Sequence, residues 1–159
     1  MIRRVISNRR GTAAAEFVLT LPMMLALLFG AMEAGHFFWT QHKIVKSVRD
    51  GARYASRLDV TQLCANNATL LTQIRNVTTN GQLSGGTPKV PGWQAANVSV
   101  VISCNSFVDT GIYTDLGARG PLVTVSSGPV QYPSILGGLG FITNSLNLSA
   151  RSSAAVVGL

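Results

Sequence analysis

Between Phe17 and Met32 the chain reads FVLTLPMMLALLFGAM, sixteen residues without a charge. So long an apolar run has to be covered by protein on all sides or by lipid. Thr12 to Ala15 extend it with small residues, and one acid, Glu16, interrupts it. At a rise of about 1.5 Å per residue the extended stretch matches the ~30 Å hydrocarbon core of a bilayer. Pro22 and Gly30 lie inside it. Both weaken a soluble helix, and both are tolerated in membrane helices. Two other readings use the same run. A buried core helix would need a larger wrapper than the rest of a 159-residue chain provides. A secretory signal would need a small-residue cleavage site of the A-x-A kind, and none follows cleanly.

The distribution of charge points the same way. Only 12% of residues are charged, and the net charge of +7 is concentrated at the two ends of the apolar run. Before it stand Arg3, Arg4, Arg9 and Arg10 with no acid; after it, residues 43–57 hold Lys43, Lys46, Arg49, Arg53 and Arg57 against Asp50 alone. A nucleic-acid-binding domain would spread its bases over a folded surface, so no nucleic-acid partner is expected. Disorder is excluded by an apolar content of 47%. The N-terminal arginines abut the apolar run more closely than the second cluster does, which predicts a cytoplasmic N-terminus and an exported remainder. Phe37, Phe38 and Trp39 follow the run as an aromatic cluster suited to the membrane interface, where Glu33, His36 and His42 are also expected to lie.

Beyond Met32 the sequence stays helical in character up to about residue 57. On a helical wheel Lys43, Lys46, Arg49, Asp50, Arg53 and Arg57 fall on one third, and Ile44, Val45, Val48, Ala52 and Ala55 on another. One helix over roughly 13–57 is therefore predicted, apolar in its first part and amphipathic in its second. Apolar residues at 63, 70, 71, 74 and 77 predict a shorter second helix over Thr61–Val77. Thr78 to Gly92 is dense in Gly, Pro, Ser and Thr and reads as a loop. Ala96–Cys104, Pro121–Val130 and Leu146–Val157 are strand candidates, with Val98, Val100 and Ile102 on one face. Residues 131–145 show no period that assigns them. The expected fold class is α+β: a long N-terminal helix packed by a small antiparallel sheet. The expected organisation is a leader (1–11), a transmembrane helix (12–35), an amphipathic extension (36–57) and an exported domain (58–159).

Chemistry-bearing groups are few. Cys64 and Cys104 lack CxxC spacing and neighbouring histidines, so no metal site is expected. In an exported domain they form a disulfide; otherwise they are a pair of buried thiols. No paired carboxylates, no Ser/His/Asp order and no phosphate loop stand out, so neither enzymatic activity nor a cofactor is expected. Glu16 is the exception. A carboxylate in an apolar membrane segment costs roughly 2.5–3.5 kcal/mol on insertion scales and marks function.

Arg9-Arg10-Gly11, Thr12-Ala-Ala-Ala15, Glu16-Phe17 and the apolar run together resemble a type IV prepilin. The resemblance implies that a membrane-embedded prepilin peptidase cuts between Gly11 and Thr12. It also implies that Glu16, fifth after the cut, pairs with the freed α-amine at residue 12 of an adjacent subunit during assembly. Val48-Arg49-Asp50-Gly51-Ala52-Arg53-Tyr54-Ala55, together with Pro22, Gly30, Glu33 and Gly35, is similar to the TadE-like proteins of tight-adherence (Flp) pilus systems, with Asp50 where Glu is usual. That family implies a minor pilin, or pseudopilin, in the bacterial inner membrane. Its expected partners are other pilins through the N-terminal helix, the peptidase, the assembly platform and the lipid bilayer; adhesion is the expected process. The alternatives are an uncleaved membrane-anchored periplasmic binding module and a type II secretion pseudopilin.

Overall fold

The computed structural model describes residues 11–108, 120–140 and 146–158. The chain divides into two compact units, residues 1–36 and 37–159. The leader arginines Arg3, Arg4, Arg9 and Arg10 lie outside the described residues. A single helix, α1 (Thr12–Ala55), starts in the first unit and ends in the second. In the first unit, every residue from Gly11 to Met32 is exposed.

The second unit is α+β. After α1 come α2 (Val60–Cys64), α3 (Ala68–Asn80), a short 3-10 turn (Ala95–Asn97) and the strands β1 (Val98–Val108), β2 (Gly120–Gln131) and β3 (Asn147–Ala155). The strands form one antiparallel sheet in the order β1-β2-β3. Its core follows from the i, i+4 spacing of α1. Ile44, Val48, Ala52 and Ala55 are fully buried and cluster with Val98, Val123, Val125, Val130 and Leu148 of the sheet. The bases on the opposite helical face, Lys46, Arg49, Arg53 and Arg57, remain in solvent. Trp93, fully buried, is the largest side chain of this core.

Alternation along β2 would turn Val130 outward, since Val123 and Val125 already face the core. A bulge between Ser127 and Val130 resets the register, so that Ser127 opposes Ala150 and Val130 opposes Leu148. The extra residue lies in Gly128-Pro129, where Pro lacks a ladder donor and a Cβ on Gly128 would stand 3.0 Å from the Asn97 carbonyl oxygen. Val130 and Tyr132 are buried as a result. The C-terminal segment closes the unit. Val157 N–H donates to the Ser56 carbonyl at 2.8 Å, and Gly158 pairs with Asp59 so closely that a Cβ there would overlap the Leu58 carbonyl.

One expectation is corrected. The helix over Thr61–Val77 is two helices, α2 and α3, separated at residues 65–67. Asn66 takes a left-handed backbone (φ 54°), which Asn tolerates better than most residues. Asn67 then caps α3 through its side-chain oxygen, which accepts from Thr69 N–H at 3.0 Å. The same chemistry starts α2. The Asp59 carboxylate accepts from the Thr61 hydroxyl (2.6 Å), Thr61 N–H (2.7 Å) and Gln62 N–H (3.3 Å).

These bonds, the Thr61 hydroxyl foremost, hold the Asp59 carboxyl below its usual 3.8. A carboxyl whose folded value is depressed contributes stability that is complete above the unfolded value and lost as pH falls through the folded one. Asp59→Asn keeps a capping oxygen but does not titrate. Wild type is therefore expected to lose more stability than Asp59→Asn between neutral pH and pH well below 3.8. Urea denaturation at the two pH values measures the difference.

Candidate functional site

The first unit presents a continuous apolar surface. Leu19 is 79% exposed and Met23 68%, with Phe17, Val18, Met24, Leu27 and Leu28 all more than half exposed. Nothing in the described residues covers this segment, and by length and hydropathy it can cross a membrane. Thr20 is satisfied within the helix. The Thr20 hydroxyl donates to the Glu16 and Phe17 carbonyls, each at 3.1 Å, so it needs no partner outside the helix. Pro22, without an N–H, withdraws the helical donor from the carbonyl four residues before it.

Glu16 is exposed on this surface, beside exposed Phe17. Gly11 immediately precedes the start of α1 at Thr12. A Cβ on Gly11 would meet nothing within 4 Å among the described residues, so their packing does not require glycine there. Glu33, in contrast to the run before it, is buried.

The second group of site residues lies at the other end of α1 and divides in two. Gly51, Ala52 and Tyr54 pack inward, while Arg49 and Arg53 point to solvent. At Gly51, α3 crosses so closely that an added Cβ would overlap the Thr78 hydroxyl and lie 3.2 Å from the Thr78 Cβ. Thr78 is itself fully buried and donates to the Ile74 carbonyl at 2.7 Å. The Tyr54 hydroxyl donates to the Gln73 side-chain oxygen at 3.0 Å, a second tie to α3. Asp50 stands at the lip of a cleft of about 560 Å³ shared with Lys43, Lys46 and Lys89. Burial pushes the Lys89 ammonium below its usual 10.5, Asp50 opposes this and Lys46 adds to it.

Cys64, ending α2, is bonded to Cys104 on β1, with S–S 2.01 Å and Cα–Cα 5.9 Å. Among the described residues, no three His, Cys, Asp or Glu side chains come together as metal ligands. The predicted site residues thus occupy separate places: Gly11, Thr12, Glu16 and Phe17 on the apolar surface, Arg49 to Tyr54 at the crossing with α3, and the cysteines between α2 and the sheet.

A family model described as TadE-like protein matches residues 11–53. This segment of the chain is similar to TadE-like proteins. It begins at Gly11, includes Glu16 and the exposed apolar run, and closes just beyond the Gly51 crossing. Residues 54–159 lie outside the TadE-like match. No curated protein and no solved structure matches the chain. Sequence reasoning did not find the partners of Gly51 and Tyr54, which are Thr78 and Gln73. The available signal was Gly51 itself, since an isolated glycine inside a helical pattern flags a packing reason.

Proposed function

We propose that the chain is a minor pilin, or pseudopilin, of a tight-adherence pilus system. A prepilin peptidase cleaves it after Gly11. Its helix over residues 12–35 then packs against the helices of other pilins in the inner membrane. The carrying observation is the uncovered apolar surface of α1, with exposed Glu16 set in it, inside the TadE-like residues 11–53. Cleavage would place a new α-amine on Thr12. Glu16 of one subunit then neutralises the Thr12 amine of the next, which offsets the burial of both charges. Van der Waals packing of the apolar helices supplies the rest. Glycine at position 11 suits an extended strand entering a peptidase cleft, and among the described residues no packing accounts for it otherwise. The Cys64–Cys104 bond fits an oxidising compartment for the second unit, hence a cytoplasmic N-terminus. The role is structural rather than catalytic.

Mass spectrometry of the N-terminal peptide tests processing. The protein is co-expressed with the prepilin peptidase of its own system and extracted from membranes beside a Gly11→Asp variant. The expected peptide starts at Thr12 and is absent from the variant. An N-terminus at Met1 in both would instead support an uncleaved anchor. Glu16→Ala is expected to insert into the membrane normally and to lose co-purification with partner pilins, measured by affinity capture from detergent extracts.

A further inference from the structure

The cleft of about 560 Å³ at which Asp50 stands lies wholly within the second unit and is built from three elements. From α1 come Lys43, Lys46, Ser47 and Asp50, whose i, i+3, i+4, i+7 spacing sets them on one helical face. Ser47 is buried in the wall. The α3 side offers Val77 and the C-cap Gly81, neither of them charged. The third element is the loop returning after α3. Lys89 N–H donates to the Thr79 carbonyl at 2.9 Å, which fixes that loop against the end of the helix. The Lys89 side chain then crosses Gly81, with Cε 3.0 Å and Nζ 3.5 Å from where a Cβ would stand. Three ammonium groups thus share one opening with a single carboxylate. Burial holds Lys89 below its usual 10.5, Lys46 adds to this, and Asp50 only opposes it. An anion entering the cleft would relieve that repulsion.

We propose that this cleft binds a polyol phosphate ester, with Lys46 and Lys89 on the phosphate and Asp50 and Ser47 on the neighbouring hydroxyls. Lys43 adds charge without a direct bond, since its ammonium lies 3.6 Å from the Trp39 ring centroid. The lysines favour phosphate over carboxylate. They are compact point charges that reach the opening from two sides, which suits a tetrahedral group with several equivalent oxygens. A planar carboxylate is met best by a guanidinium fork, and the arginines of the same helix, Arg49 and Arg53, are not in the lining. Asp50 explains the polyol. A carboxylate repels a bare phosphate but accepts hydrogen bonds from hydroxyls beside it. The volume also exceeds what a phosphate alone needs, and lies within the roughly 300–1,000 Å³ of small-ligand sites. Glycerol phosphate meets these demands, either as a soluble ester or as the headgroup of phosphatidylglycerol.

The full chain, with ¹³C-labelled lysine, is titrated in maltoside micelles with glycerol 3-phosphate and followed by NMR. Saturable shifts are expected at the Lys46 and Lys89 Cε signals, and saturation is expected to move the Lys89 titration up toward 10.5. Lys89→Gln keeps the backbone bond to Thr79 and is expected to weaken binding about tenfold or more. Arg151→Gln removes an exposed cation outside the cleft and is expected to change nothing. Wild type should prefer glycerol 3-phosphate to inorganic phosphate, and Asp50→Ala should abolish that preference. Nanodiscs separate the two sources. The same lysine shifts in phosphatidylglycerol discs without added ester, absent from phosphatidylcholine discs, would assign the headgroup; shifts with the soluble ester alone would assign a free ligand. The absence of saturable shifts from both arms would overturn the site, as would an equal loss in Arg151→Gln. Malonate bound as tightly as the ester would overturn it in favour of a carboxylate-bearing partner. A preference that survives Asp50→Ala would overturn the polyol assignment.

Discussion

Replacing Cys64 and Cys104 together with serine is expected to lower the unfolding free energy of the second unit by about 4 kcal/mol. The figure comes from the loop they close. The two residues are 40 positions apart, and the chain-entropy relation for a loop of that length gives a penalty of this size on the unfolded ensemble. The bond ties α2, which has little else to hold it, to β1 of the sheet. α2 is a single turn of five residues, and Leu63 is its one buried side chain. Without the bond, α2 is left with the Asp59 cap, the packing of Leu63 and the partial burial of Val60, so local opening of residues 59–67 should precede global unfolding. Urea denaturation in detergent, with and without a reductant, reads the total loss. Hydrogen exchange at Leu63 and Cys64 reads the local one.

Gly51→Ala is expected to destabilise the same unit by about 1–3 kcal/mol, the usual range for overpacking a filled interior. The sign matters, because alanine in an exposed helix would stabilise by about 1 kcal/mol through helix propensity. Here the added methyl has nowhere to go. It overlaps the Thr78 hydroxyl, and the Thr78 Cβ and Cα lie 3.2 and 3.6 Å away, on a helix held by the burial of Ile74, Thr78 and Thr79. Either α3 shifts away from α1, opening the Tyr54–Gln73 bond, or the methyl remains compressed. Thr78→Ala removes the hydroxyl while keeping its Cβ. The double variant Gly51→Ala/Thr78→Ala should therefore recover part of the loss, a non-additivity that a double-mutant cycle measures directly.

Periodicity made the long helix readable: the buried set Ile44, Val48, Ala52 and Ala55 recurs at steps of four and three, and the bases fall opposite. β1 and β2 were readable from β-branched runs, because each keeps one face on the core; β3 reads NLSARSSAA and carries no β-branched residue. Features set by single residues were not readable. Asn66 breaks a pattern that continues hydrophobically on either side of it, so a helix period alone bridges the gap. Trp93 sits in a stretch whose glycines and prolines signal a loop, and no local pattern reveals that the loop folds back to bury it. In the site, the motif residues Gly11, Glu16 and Gly51 could be named from sequence. The contact that gives Gly51 its meaning involves Thr78, twenty-seven positions away, which only the folded chain brings near.

The bulge at Gly128-Pro129 makes length, more than composition, the sensitive variable along β2. A one-codon deletion there would shift the phase of everything downstream: Val130 and Tyr132 would rotate to solvent, and their polar neighbours would rotate into the space they now fill. The same deletion among Leu83 to Gly86 would only shorten an exposed loop. Across natural variants of this protein, gaps should therefore gather in that loop and be absent between Ser127 and Val130, even where the residues at the bulge have changed.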